Sequence, residues 1–214
     1  MKTTEKVSHG YLICLPPNYD EDSKEWPLVV YLHGGGAREV DVQSSILPFM
    51  NRPFILLAPL CPPATSPEEA VHQSWDPRIL GMIVRKVIDE YRIDSTMCAL
   101  AGFSMGGSAA WELPYYHPDL FRKVAVISGS CHFWKLRFYP SIPIWSFSGA
   151  SEEWLQQHKH TVDTARSFGI DVAHTIWPRL THGECRDRTL SYPPFMEWLL
   201  HDAPAPRPLP PEEG

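Results

Sequence analysis

The sequence predicts an α/β fold, a mostly parallel central sheet with helices on both faces, and three observations carry that prediction. Short apolar runs rich in β-branched residues alternate with stretches whose apolar residues recur at helical spacing. Most of these runs are apolar throughout rather than alternating, the pattern of strands covered on both faces. At 214 residues the chain is long enough for one α/β domain to bury a full core.

Each element follows from its own residues. The run at 11–15 stops at Pro16-Pro17 and reads as an early edge strand, because proline cannot donate to a ladder. Residues 27–32 and 54–58 are the next two strands, closed by His33-Gly34-Gly35-Gly36 and by Pro59. Over 77–91 the residues Leu80, Ile83, Val84, Val87, Ile88 and Tyr91 fall at helical spacing, and Asp76 before Pro77 makes a helix start. Residues 97–102 form a buried strand, and Gly107-Ser108-Ala109-Ala110-Trp111 opens a helix of small residues able to pack closely. Residues 124–128 and 142–147 are further strands, 152–167 a helix, 171–177 the last strand and 193–201 a closing helix. We expect a single domain over 1–202 and a disordered tail over 203–214, where five prolines and two glutamates stand.

Composition excludes several classes. A hydrophobic fraction of 43% with 8 Trp, 8 Tyr and 9 Phe is that of a packed protein. A formal charge of -6 without a Lys/Arg run leaves no footprint for a phosphate backbone, so nucleic acid is not an expected partner. No apolar stretch reaches a membrane span and none near the N-terminus resembles a signal peptide, so a cytoplasmic protein is expected. Cys14, Cys61, Cys98, Cys131 and Cys185 are an odd set without C-x-x-C spacing, which indicates neither a disulfide framework nor a zinc ribbon. A metal or cysteine-nucleophile site would draw on Cys185, His182, His158 and His160. His158 and His160 are two apart and cannot share a helix face, so no metal site and no cofactor are expected.

Chemistry concentrates at the ends of the strands. Gly102-Phe103-Ser104-Met105-Gly106-Gly107 sets a serine between glycines after an apolar run and before a helix, the sequence form of a nucleophile elbow. A hydroxyl is a poor nucleophile unless held exposed beside a base, and the sharp turn that exposes it leaves little room for side chains. In a parallel sheet the carboxyl ends of the strands form the crevice where reactive groups meet. The glycines at 34–36, Gly149 through Glu153, and Thr181-His182-Gly183 occupy three further strand ends.

With those residues in view, the chain resembles the α/β-hydrolases. It is most like the carboxylesterase, dienelactone hydrolase and phospholipase-like esterases, including predicted peptidases and polymer-depolymerase relatives. The likeness is carried by Tyr31-Leu32-His33-Gly34-Gly35-Gly36, by Leu57-Ala58-Pro59-Leu60-Cys61-Pro62 before Ser74-Trp75-Asp76-Pro77, and by the elbow. His117-Pro118-Asp119-Leu120-Phe121 and Ile127-Ser128-Gly129 complete it. The resemblance implies an α/β-hydrolase fold and a triad in the order nucleophile, acid, histidine. Ser104, then Glu152 or Glu153, then His182 reproduces that order. The family's usual aspartate is replaced here by glutamate; Glu152 is the first choice and Glu153 the alternative acid. The oxyanion hole falls to the N–H groups of Met105 and Gly35. His33 reads as loop packing, and His182 is placed on the loop after the final strand.

The substrate expected is a small-molecule ester with a short- to medium-length or aryl acyl group. Trp75, Phe133, Trp134 and Trp154 lie in loops expected to wall the crevice. The stretch 130–141 is too short for a large helical lid, so only a minimal lid is expected. A peptidase or lactone/thioester hydrolase, and a non-catalytic binding protein on the same fold, stay open at this level. Nothing in the sequence sets the oligomeric state.

Overall fold

The computed structural model describes residues 2–3, 10–21, 23–62, 66, 68 and 73–201. Among these residues the strands are β1 (Lys2–Thr3), β2 (Tyr11–Cys14), β3 (Trp26–Leu32), β4 (Ile55–Pro59), β5 (Ile93–Phe103), β6 (Lys123–Ile127), β7 (Ile144–Gly149) and β8 (Val172–Trp177). They form one eight-stranded sheet in the order β1-β2-β4-β3-β5-β6-β7-β8. Every pairing from β4 through β8 is parallel, and only β1 and β2 run antiparallel to their neighbours.

The helices are α1 (Glu39–Ser45), α2 (Pro77–Glu90), α3 (Met105–Tyr116), α4 (Phe133–Leu136), α5 (Leu155–Ser167), α6 (His182–Leu190) and α7 (Pro193–Leu200). They divide between the faces as strand alternation dictates. Leu28, Val30 and Leu32 of β3 point to one side with Leu80, Ile83 and Val87 of α2, Trp111 of α3 and Val162 of α5. Val29 and Tyr31 point to the other side with Val42 of α1, Cys185 of α6 and Phe195 and Trp198 of α7. The sheet is therefore a buried layer between two helical layers, the arrangement expected of continuous apolar strands.

Three expectations need correction. The run at 11–15 is not an edge strand: β2 pairs with β4 on one side and β1 on the other, because Pro16 and Pro17 lie beyond its end and take no donor from its ladder. The helix expected from residue 152 begins at Leu155, since Glu152 is drawn back into a turn by its own N–H to the Gly149 carbonyl, 3.2 Å. His182 is not in a loop but is the first residue of α6. The tail over 203–214 lies outside the described residues. Among the described residues, no helix is long and apolar enough to cross a membrane.

Candidate active site

The elbow is built by close backbone contact. Ser104 joins β5 to α3 with φ 57° and ψ -118°, in the left-handed half of the map that a serine rarely occupies. It is fixed there by its N–H to the Ile127 carbonyl (2.9 Å) and by the Ser108 N–H donating to the Ser104 carbonyl (2.9 Å). The neighbouring glycines permit the approach: a Cβ on Gly102 would lie 2.1 Å from the Gly106 oxygen, and one on Gly106 2.1 Å from the Leu32 oxygen. Ser104 thus stands at the N-terminus of a twelve-residue helix. The first backbone N–H groups of that helix, Met105 among them, have no intrahelical partner.

The glycine loop after β3 is held by His33. Its Nδ1 lies 2.7 Å from the Gly34 carbonyl, which can only accept, so Nδ1 carries the proton and Nε2 accepts the Cys61 N–H at 3.0 Å. Trp75 donates its indole N–H to the His33 carbonyl (3.3 Å) and packs its ring edge against the imidazole. Burial keeps His33 below the ordinary histidine range, in keeping with a neutral ring bonded on both sides. With the Gly34 carbonyl drawn toward His33, the N–H of the same trans peptide, that of Gly35, points the opposite way. A Cβ on Gly35 would lie 3.8 Å from Met105 Sδ, so the glycine loop comes close to the residue after Ser104. The Gly36 N–H is taken by Gln73 Oε1 (3.1 Å), whose amide nitrogen donates to the Pro62 carbonyl (2.7 Å). Gln73 was not singled out from sequence.

Glu152 lies under the other side of the elbow, with its side chain wholly buried. Its Oε1 accepts the Ser128 hydroxyl at 2.6 Å and the Gly149 N–H; its Oε2 is 3.1 Å from His182 Nδ1 and 3.6 Å from His158 Nδ1. Burial acts to raise this carboxyl, but the bonds from His182, Ser128 and Gly149 and the nearby His158 outweigh it and hold it below the usual carboxylate range. Glu153, one residue on, is exposed. Ser128, like Ser104, is a non-glycine residue at positive φ, 52°, at the end of β6. It is a second serine at a strand end whose role no sequence motif revealed.

The His182 ring is clamped between aromatics. Phe103, immediately before Ser104, lies 4.7 Å from it centroid to centroid, and Trp154 meets it edge-on at 5.5 Å. Ser104, Met105, Ser128, Gly129, Trp154, His158 and His182 line one cleft of about 230 Å3. A larger pocket of about 490 Å3 adjoins it through Met105, Ser108, Ser130 and Gln157, and extends past Trp75 to Glu112 and His132. Of the four aromatics expected in the wall, Trp154 lines the cleft and Trp75 the adjoining pocket. Phe133 packs on His160 and Trp134 on Tyr115, and neither lines these two spaces. Burial pushes the Cys185 thiol up to about 12, so it is no thiolate nucleophile. Among the described residues no group of three His, Cys, Asp or Glu side chains could hold a metal ion.

Comparison with known proteins bears on the family and the fold. The profile of a family described as "Esterase: Putative esterase" matches residues 63–180. No curated protein gives a match. Among solved structures, a thermostable esterase superposes with TM-score 0.72 at 24% identity over 92% of this chain and 61% of its own, so the chain spans about three fifths of that protein. A ferulic acid esterase superposes with TM-score 0.69 at 15% identity, covering 93% and 97%. A protein described as "Putative Dienelactone Hydrolase" from Klebsiella pneumoniae subsp. pneumoniae MGH 78578 gives 0.71 at 12%, covering 86% and 85%. At these identities the structural likeness speaks for the α/β-hydrolase fold.

Proposed function

We propose that this chain, which belongs to the esterase family, is a serine carboxylesterase that hydrolyses short- to medium-chain or aryl carboxylic esters through an acyl-enzyme. The observation that carries the reading is the 3.1 Å contact from His182 Nδ1 to Glu152 Oε2, in the cleft that Ser104 also lines. A buried carboxylate facing Nδ1 fixes the proton on that nitrogen and leaves Nε2 free to act as base.

The chemistry then follows from positions. Ser104 Oγ attacks the ester carbonyl as His182 Nε2 takes its proton, and the developing imidazolium is stabilised by Glu152. The negative oxygen of the tetrahedral intermediate is met by the Met105 and Gly35 N–H groups, assisted by the positive end of α3. Collapse breaks the bond to the alcohol oxygen, which leaves with the proton from His182, and Ser104 carries the acyl group. Water repeats the sequence: it gives a proton to His182 as it attacks, and the proton returns to Ser104 as the carboxylic acid departs. The modest cleft beside Trp154 and the adjoining pocket support small acyl groups, and the only helix within residues 130–141 is the single turn α4.

The test is a panel of aryl esters of graded acyl length, with peptides and lactones beside them, run on wild type and Ser104→Ala. Wild type should turn over esters best, and Ser104→Ala should lower kcat by about 10^4-fold or more. A fluorophosphonate should label wild type on Ser104 and leave the variant unlabelled. Ester turnover that survives Ser104→Ala, or labelling elsewhere, overturns the reading.

A further inference from the structure

Glu152 does not serve His182 alone. A second imidazole, His158 from the first turns of α5, brings its Nδ1 to 3.6 Å from the same Oε2, and its ring lines the cleft although only 3% of the residue is exposed. Behind it the polar path continues into the interior: His158 Nδ1 is 3.3 Å from Ser148 Oγ, which is 3.0 Å from Nε2 of His174 on β8. No motif in the sequence marked this chain of groups.

The protons on it can be placed. A bare Nδ1 on His158 would set its lone pair against the carboxylate oxygen, so Nδ1 carries the hydrogen: it donates to Ser148 Oγ at 3.3 Å and presents its N–H dipole to Glu152 Oε2 at 3.6 Å without bonding it. Ser148 then accepts from His158 and donates its own hydrogen to His174 Nε2, leaving His174 protonated at Nδ1. Burial holds His158 below the ordinary histidine range, the Glu152 charge opposing and His182 adding to the lowering. Burial also brings His174 down to about 4. Both rings are neutral donors or acceptors at working pH. The titratable groups facing His158 are Glu152 from the loop after β7, His182 from α6 and His174 from β8; Cys185 of α6 interacts with Glu152 and Ser128, and Lys159, Asp163 and Arg166 lie further along α5.

We infer that His158 is a positioning residue for this hydrolase: its neutral N–H dipole, 3.6 Å from the triad acid, stabilises the Glu152 charge and limits how strongly Glu152 draws a proton onto the catalytic base. The inference rests on the triad proposed above. Without that nearby dipole the Oε2 charge acts on His182 less opposed, which favours imidazolium, and Glu152 itself becomes easier to protonate. Both effects move the acid limb of the kcat/KM profile to higher pH. Ser148 works in the opposite sense, because it competes with Glu152 for the His158 hydrogen.

The pH dependence of kcat/KM on an aryl ester, measured on wild type, His158→Leu, His158→Asn and Ser148→Ala, tests this. In His158→Leu the acid limb should rise by about half a unit or more, with kcat lowered several-fold and KM within about twofold. His158→Asn, whose amide nitrogen sits close to where Nδ1 was, should return the limb toward wild type. Ser148→Ala, which leaves the His158 N–H to Glu152 alone, should move it down. Should the leucine variant fail to fold, the asparagine and Ser148→Ala profiles still carry the sign. A limb unmoved in His158→Leu and Ser148→Ala, or moved the same way in both, overturns the inference. Activity surviving in Ser104→Ala would instead overturn the triad beneath it.

Discussion

Both oxygens of Glu152 are engaged, Oε1 by Ser128 and Gly149 and Oε2 by the two histidines. A glutamine there keeps the shape but turns an NH2 toward groups that are themselves donors, and a buried donor without an acceptor costs about 1–3 kcal/mol. Glu152→Gln should therefore lower kcat on an aryl ester by about 10^2-fold or more and reduce the unfolding midpoint. Glu153→Gln, at an exposed position, should stay within about twofold of wild type on both measurements. The reverse pattern would make Glu153 the acid. From the sequence the two were neighbours at the start of the helix expected over 152–167, and motif order favoured Glu152 without deciding it. What separates them in space is the turn at Gly149: a Cβ there would fall 2.2 Å from the Leu180 oxygen, and that close crossing lets one carboxylate fold inward while the next faces water. Such a crossing depends on a chain segment some thirty residues away and leaves no local mark.

At the scale of the element, α6 shows what periodicity misses and capping chemistry marks. His-Gly-Glu-Cys-Arg-Asp-Arg-Thr-Leu carries few apolar residues and a glycine at its second position, so it does not read as an amphipathic helix. Its start nevertheless has the form Thr-x-x-Glu. Thr181 is the N-cap, and Glu184 Oε2 accepts the Thr181 N–H at 2.8 Å and the Thr181 hydroxyl at 2.6 Å. His182 is the first residue inside that box, so the cap sets where its ring begins. Glu184→Ala should cost about 1 kcal/mol in chemical denaturation and lower kcat a few-fold with KM little changed, whereas Glu184→Gln, which keeps an acceptor oxygen, should retain most of both. Lost stability with unchanged kcat would mean that Phe103 and Trp154 alone hold the imidazole. The elbow was legible for the opposite reason: its glycines, its apolar strand and its small-residue helix all lie within a dozen residues.

Across the whole molecule, the parallel sheet was readable because strands buried on both faces must be almost wholly apolar; β3 and β4 are apolar throughout, and β6 is apolar after Lys123 at its first position. The polar groups inside those layers were not readable, because a buried histidine looks like any other until its neighbours are known. Three of them, His33, His158 and His174, are buried at 2%, 3% and 9% exposure, and burial holds each below the ordinary range. His174 has the sharpest consequence. Its folded value is about 4 against 6.5 for the free side chain, so between those two pH values the unfolded chain binds a proton that the folded chain refuses. Stability at that site is complete above pH 6.5, falls as the pH drops, and has lost on the order of 3 kcal/mol once pH 4 is passed. Glu152, a carboxylate held below 4.5, adds a second loss that begins below 4.5 and is complete only after the pH falls through its lower folded value. Urea unfolding at pH 7, 5.5 and 4 should show wild type weakening mainly between the first and last. His174→Asn, which cannot titrate, should start less stable at pH 7 and lose less on acidification, so that the two curves converge toward pH 4. Parallel curves would place the acid sensitivity on other groups and leave His174 charged in the fold without penalty.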